Sequence, residues 1–137
     1  MNRLTITATL LMASTVAYAH HSFAMYNMEK EITLKGEVKV FAFQNPHSGI
    51  QFSVTDEKGQ TSDWLAETGN PSGLAKLGWK RSILKPGDKV TFVLHPMKDG
   101  AKGGALVRAI LADGTVLAID RATYKVFSVP LLLGLST

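Results

Sequence analysis

No cysteine occurs in the 137-residue chain, which removes at once a disulfide framework, a thiolate metal centre and a thiol nucleophile. Long hydrophobic runs are missing too: the N-terminal stretch "LTITATLLMASTVAYA" is threonine-rich and shorter than the about 20 strongly apolar residues that a spanning helix needs. Aromatic residues make up only 8% of the chain, and the net charge is a modest +4 with histidines neutral. The densest basic cluster, Lys76, Lys80, Arg81 and Lys85, suits a solvated helical face and has no interleaved aromatic stripe, so no nucleic-acid partner is expected. Gly100, Gly103 and Gly104 have no GKS or GKT beside them and read as a loop between strands, not a phosphate cradle. Ser22, Ser48 and Ser72 lack a nucleophile-elbow context, and Ser48 cannot form a triad with His47 by adjacency. Asp63 and Glu67, a candidate carboxylate pair near Trp64, read more simply as solubilising charges on a strand edge. With these constellations set aside, a binding protein is expected before an enzyme.

What the chain does contain begins with a leader. A single basic residue, Arg3, precedes the apolar run, which ends in Ala17-Tyr18-Ala19, the layout of a secretory signal peptide over residues 1–19 with an A-x-A cleavage site. Cleavage there leaves residues 20–137, the length of one ordinary domain, periplasmic or secreted, with no transmembrane anchor after signal removal. The expected layout is an N-terminal arm over 20–31, a barrel domain over 32–119 and a C-terminal tail over 120–137. The tail's apolar residues, Val126 to Leu135, are broken by Pro130 and Gly134 and are too few to cross a bilayer.

Alternation sets in at Ile32: Ile32, Leu34, Gly36, Val38 and Val40 share one face of a predicted strand, opposite Lys35, Glu37 and Lys39, with Gly36 marking a bend or bulge. The turn "QNPHSG" leads to a second strand with Ile50, Phe52 and Val54 inward. "TSDWLAE" makes a third. Asn70 then caps a short helix with Pro71 at its first position, and Gly78 is placed to end it. Trp79, Ile83 and Leu84 are expected to pack beneath the barrel. "KPGDKVTFVLH" supplies a fourth strand, "ALVRAIL" a fifth, and Asp113-Gly114 turns the chain into an extension, "TVLAI". Three meander strands, one short helix and two further strands follow the order of an oligonucleotide/oligosaccharide-binding (OB) barrel. The predicted class is therefore mainly β: a small five- to six-stranded OB-like Greek-key barrel with one short helix between strands 3 and 4.

HHSF at residues 20–23, NPHS at 45–48, LxxxGW ending at Trp79 and LKPGD before the fourth strand carry a likeness. From His20 to Leu117 the chain resembles an uncharacterised family of exported bacterial proteins, the domain of unknown function 6152 family. The resemblance implies export and the extent of the domain, and supplies no catalytic residues.

Chemistry concentrates on histidine. Cleavage after Ala19 would make His20 the first residue, whose α-amine and Nδ1 can chelate one metal ion as in a histidine brace. An α-amine pKa of about 7.7–8.0 lets a metal displace its proton near neutrality. His21 adds an imidazole at position two, while Ser22 occupies the position where an Xaa-Xaa-His copper motif needs its histidine. His47 lies in the loop after the first strand and His95 on the outward phase at the end of the fourth. In an OB barrel, the loops joining strands 1–2 and 4–5 flank the ligand face, so both histidines are expected on one rim. An extended arm of ten residues reaches up to roughly 35 Å, enough to bring His20 there. Imidazole suits copper or zinc, and the thioethers of Met25, Met28 and Met97 would favour Cu(I).

Copper bound by His20, His21, His47 and His95 is thus the leading expectation, in a periplasmic binding protein. The plainer alternative has His47 bonding a backbone carbonyl in its turn, His95 ending its strand at the surface and the methionines filling core gaps. On that alternative the chain is a metal-free envelope module that recognises a protein, an anionic partner or a small ligand. A copper oxidase or oxygenase ranks third.

Overall fold

The computed structural model describes residues 23–119. The expected leader, His20, His21 and the tail lie outside the described residues. Six strands and one helix follow in order: β1 (Ile32–Ala42), β2 (Gly49–Thr55), β3 (Thr61–Glu67), α1 (Pro71–Ala75), β4 (Lys89–Pro96), β5 (Gly103–Leu111) and β6 (Val116–Ala118). β1, β2 and β3 form an antiparallel meander, β1 pairs on its other edge with β4, and β4 pairs with β5. A short parallel pairing of β3 with β5 closes the sheet on itself, and β6 extends β5 as a sixth strand. This is the predicted OB-like barrel with its single short helix between the third and fourth strands.

Alternating apolar residues build the interior because successive strand side chains point to opposite faces. Ile50 and Phe52 from β2, Phe92 and Leu94 from β4, and Leu106 and Ala109 from β5 are buried in one cluster. Phe52 and Phe92 stack at its centre with ring centroids 4.0 Å apart. β1 can approach them only because residue 36 is glycine: a Cβ at Gly36 would lie 2.5 Å from Phe52 Cδ2.

The alternation of β1 breaks two residues later. Val38 faces Phe52 but Val40 faces Gln51, so Lys39 is an extra residue on the β1 side. This bulge turns Val40 outward, where it is exposed, and brings Phe41 against the core. The predicted inward Val40 is therefore on the wrong face, because an inserted residue reverses the phase of everything after it.

Below the barrel the helical segment forms as expected. Asn70 Oδ1 accepts the Gly73 N–H at 2.8 Å, Pro71 opens α1, and Leu74 is buried. Trp79 is buried beside it and donates its indole N–H to the Ala118 carbonyl at 2.8 Å, which ties β6 to the helical segment.

The arm is bound to the barrel from its first described turn onward. Tyr26 bridges to Met97, Asn27 N–H donates to the Pro96 carbonyl at 2.8 Å, and Lys98 N–H donates to the Met25 carbonyl at 2.9 Å. Tyr26 is only 5% exposed. Among the described residues no helix is long and apolar enough to cross a membrane.

Candidate functional site

The loop from β1 to β2 holds His47 after a cis Asn45–Pro46 peptide. It is fixed at its far end by Ser48, whose N–H donates to the Gly69 carbonyl and whose carbonyl accepts the Thr68 N–H, both at 2.9 Å. His47 stays about half exposed and places Nδ1 3.0 Å from Glu67 Oε1. Glu67 ends β3, opposite Gly49 on one side and Ala105 on the other. Its second oxygen, Oε2, accepts the Tyr26 hydroxyl at 2.8 Å. Burial first, and the Glu67 carboxylate second, push the Tyr26 phenol far above its ordinary range.

His95 lies on the outward phase of β4 as predicted, opposite Ala105, and its Nδ1 is 2.9 Å from the Lys30 carbonyl oxygen. Glu67 and His95 thus flank Ala105 from either side, two strand spacings or about 10 Å apart along the barrel wall. The arm crosses this same region: its Tyr26 reaches Glu67 and its Lys30 reaches His95.

A cleft of about 300 Å³ opens beside His47, lined by Gln44, Gly49, Gln51, Leu65 and Glu67. A second, of about 290 Å³, shares Gln51 and Leu65 and carries Lys39, Asp63 and Lys102. A larger groove, about 530 Å³, lies elsewhere among Lys35, Glu37, Ser53, Lys89 and Thr91. It contains no histidine, and its Glu37 and Lys89 are bonded to each other.

Among the described residues, no group of three or more His, Asp or Glu side chains could hold a metal ion. His47 and His95 each have Nδ1 engaged, with a different oxygen in each case. Met25 and Met28 are exposed and fill no core gap. Asp63 and Glu67 do not act as a carboxylate pair: Asp63 is bound to Lys39 Nζ at 2.6 Å, four residues along the strand from Glu67.

The chain matches DUF6152, a family of unknown function, over residues 8–107. It belongs to that family. No curated protein and no solved structure matches it. The DUF6152 match takes in Tyr26, His47, Glu67 and His95, and stops within β5 at Val107.

Of this rim, residue type alone brings out the two histidines; Glu67 is visible in the sequence only as a strand-edge charge beside Asp63, and Tyr26 emerges only from the fold. Tyr26→Phe should destabilise this DUF6152 domain by about 1.5–3 kcal/mol, the usual worth of a hydrogen bond to a charged group. The parent should also lose stability as pH rises above 10, because the folded state keeps the raised phenol proton that the unfolded chain releases. Urea titrations at pH 7 and above pH 10 check both effects. A Tyr26→Phe protein with the parent's alkaline loss would show that the phenol is not its source.

Proposed function

We propose that this DUF6152 protein is an exported, periplasmic binding protein whose site is the His47 rim, and whose ligand is a copper ion held with the help of the processed N-terminus. The observation that carries the reading is the shared carboxylate: Glu67 binds the arm through Tyr26 and the loop through His47. His20 is six residues ahead of Tyr26, so the chain between them spans at most about 21 Å. Tyr26 is joined to His47 through Glu67, which supports a reach of the new N-terminus to the His47 rim. Export rests on the segment ending in Ala17-Tyr18-Ala19. A free amine and an adjacent imidazole on His20, with His21 next to it, then supply the donors that the described residues lack. His47 and His95 complete the proposed set.

Titration of the processed protein, residues 20–137, with Cu(II) and Cu(I) tests this. The expected result is binding that falls tenfold or more when one residue is added ahead of His20, because the amine is then an amide. Equal affinity in both forms would reject the brace.

A metal-free interaction module is favoured by a different observation. Val40 and Leu65 are both exposed and stand on either side of Gln51 on the outer face of β1, β2 and β3. If neither form binds copper, Val40→Lys with Leu65→Lys should abolish partner binding while leaving the fold intact.

A further inference from the structure

β3 is paired along its whole length on one edge but not on the other. Every residue from Thr61 to Glu67 faces a residue of β2, whereas β5 meets only Leu65, Ala66 and Glu67. Two hydrogen bonds fix where the remaining peptide groups point. Leu65 N–H donates to the Lys102 carbonyl at 3.3 Å, so the N–H and C=O of Leu65 face away from β2. Antiparallel pairs alternate between bonded and unbonded, so those of Asp63 and Thr61 face the same way. The hairpin agrees from its other end: Asp56 N–H donates to the Gln60 carbonyl at 2.9 Å, which leaves Thr61 in the unbonded phase toward β2. Thr61 and Asp63 therefore hold out N–H and C=O groups that no strand takes up among the described residues.

This open edge borders the cleft of about 290 Å³ that contains Asp63, Leu65 and Lys102. Leu65 is half exposed there. Lys102 has no ion partner among the described residues, unlike Lys39, which is neutralised by Asp63. Unused backbone donors and acceptors match another backbone, an exposed aliphatic side chain matches an apolar one, and a lone ammonium matches a carboxylate. An extended peptide supplies all three. We infer that the open edge of β3 is a docking site for an extended peptide segment, which adds a strand beside Thr61 and Asp63, sets an aliphatic side chain against Leu65 and gives a carboxylate to Lys102. This segment is the partner class of the metal-free interaction reading above, on which it rests, and no metal takes part. β5 already fills the edge from Leu65 onward, so the added strand is short and stops at the Lys102 turn. Its carboxylate comes from the chain end or from an acidic side chain.

Amide hydrogen exchange of the free protein, residues 20–137, tests the edge. Ser62 and Trp64, whose N–H groups face β2, should be protected, and Asp63 should exchange roughly tenfold faster or more. An equally protected Asp63 overturns the proposal, because the edge is then already covered. Random peptides displayed with free C-termini are next selected on the same protein. Enriched sequences should combine an aliphatic residue with a carboxylate, and a synthetic copy should slow Asp63 exchange. Asp63→Pro deletes the outward N–H and spares the ladder to β2, so it should fold and lose about tenfold or more in affinity. Asp63→Ala keeps that N–H and should bind at least as well as the parent. Thr61→Pro, at the first residue of the strand, makes the same test if Asp63→Pro folds poorly. Equal binding by the proline and alanine variants, or no enriched sequence, overturns the added strand. Lys102→Ala should weaken binding, and unchanged affinity overturns the carboxylate contact; an amidated peptide that binds as well as the free acid assigns the carboxylate to a side chain, a weaker one to the chain end. If Val40→Lys with Leu65→Lys abolishes binding and Asp63→Pro does not, the interaction reading stands and the added strand falls. If neither matters, both fall.

Discussion

Phe92→Ala should cost this domain about 4 kcal/mol, within the 3–5 kcal/mol typical of buried phenylalanine truncations. Phe92 has no exposed surface, and it lies in the central strand β4 between Leu34 of β1 and Ala109 of β5. Its ring stacks on Phe52, so truncation forfeits that contact as well as the transferred area, a further about 0.5–1.5 kcal/mol for an aromatic pair. Collapse into the vacated space is resisted because its walls are backbone of a closed barrel, hydrogen-bonded on both edges. Small domains hold only about 5–15 kcal/mol in total, so the variant should unfold at a much lower urea concentration with an unchanged slope. A loss below about 1 kcal/mol would mean that the Phe52–Phe92 stack is not the centre of the core.

The strands could be read from the sequence because each buries one face, and burial on one face forces period two. The turn chemistry agreed with it at nearly every junction. Asn70-Pro71 starts α1 in the predicted register, since capping and proline placement are local effects that need no partner. Two features escaped. The bulge at Lys39 has no compositional mark, because Lys39-Val40 looks like a continuation of the alternation and only pairing with β2 shows the extra residue. Gly103 and Gly104 were expected in a loop because glycine has no side chain with which to alternate. They instead begin β5 and face Leu65 and Ala66 of β3.

The site divides along the same line. Histidines at 47 and 95 are conspicuous by type, and the outward phase of His95 follows from Phe92 and Leu94 lying inward. Their partners are far away in the chain: Tyr26 and Glu67 are 41 residues apart, and His95 and Lys30 are 65 apart. No spacing rule links such positions. Glu67 in particular looked like a companion of Asp63, four residues earlier, when its real neighbours come from the arm, a loop and β5. The arm too looked like a free tether. Tyr26 gave no periodic signal there, and its partners, Met97 just after β4 and Glu67 at the end of β3, come together only in the folded barrel.

Gly104→Ala should be the second large loss, about 3 kcal/mol, at the upper end of what overpacking usually costs. Gly104 faces Pro96 of β4 and Ala66 of β3 together, so it sits on the seam where the barrel closes. An added Cβ would fall well inside contact distance of the His95 carbonyl oxygen and 3.1 Å from Leu94 Cβ. A carbonyl in a paired strand cannot rotate away as a side-chain tip can, so β4 or β5 must move. Movement there reaches the rim, since His95 is the residue struck and Ala105, next to Gly104, separates it from Glu67. Gly49→Ala is the control: its Cβ would meet Leu65 Cδ1 at 3.5 Å, an ordinary contact, in a strand that is likewise paired on both edges. That variant should change stability by less than about 1 kcal/mol, and the lower chain entropy of alanine could make it more stable. Chemical denaturation of the two variants side by side, with the His95 ring signals followed in each, separates loss of closure from a general cost of replacing glycine. Equal losses in both would show that the β3–β5 seam is not closed as tightly as these distances require.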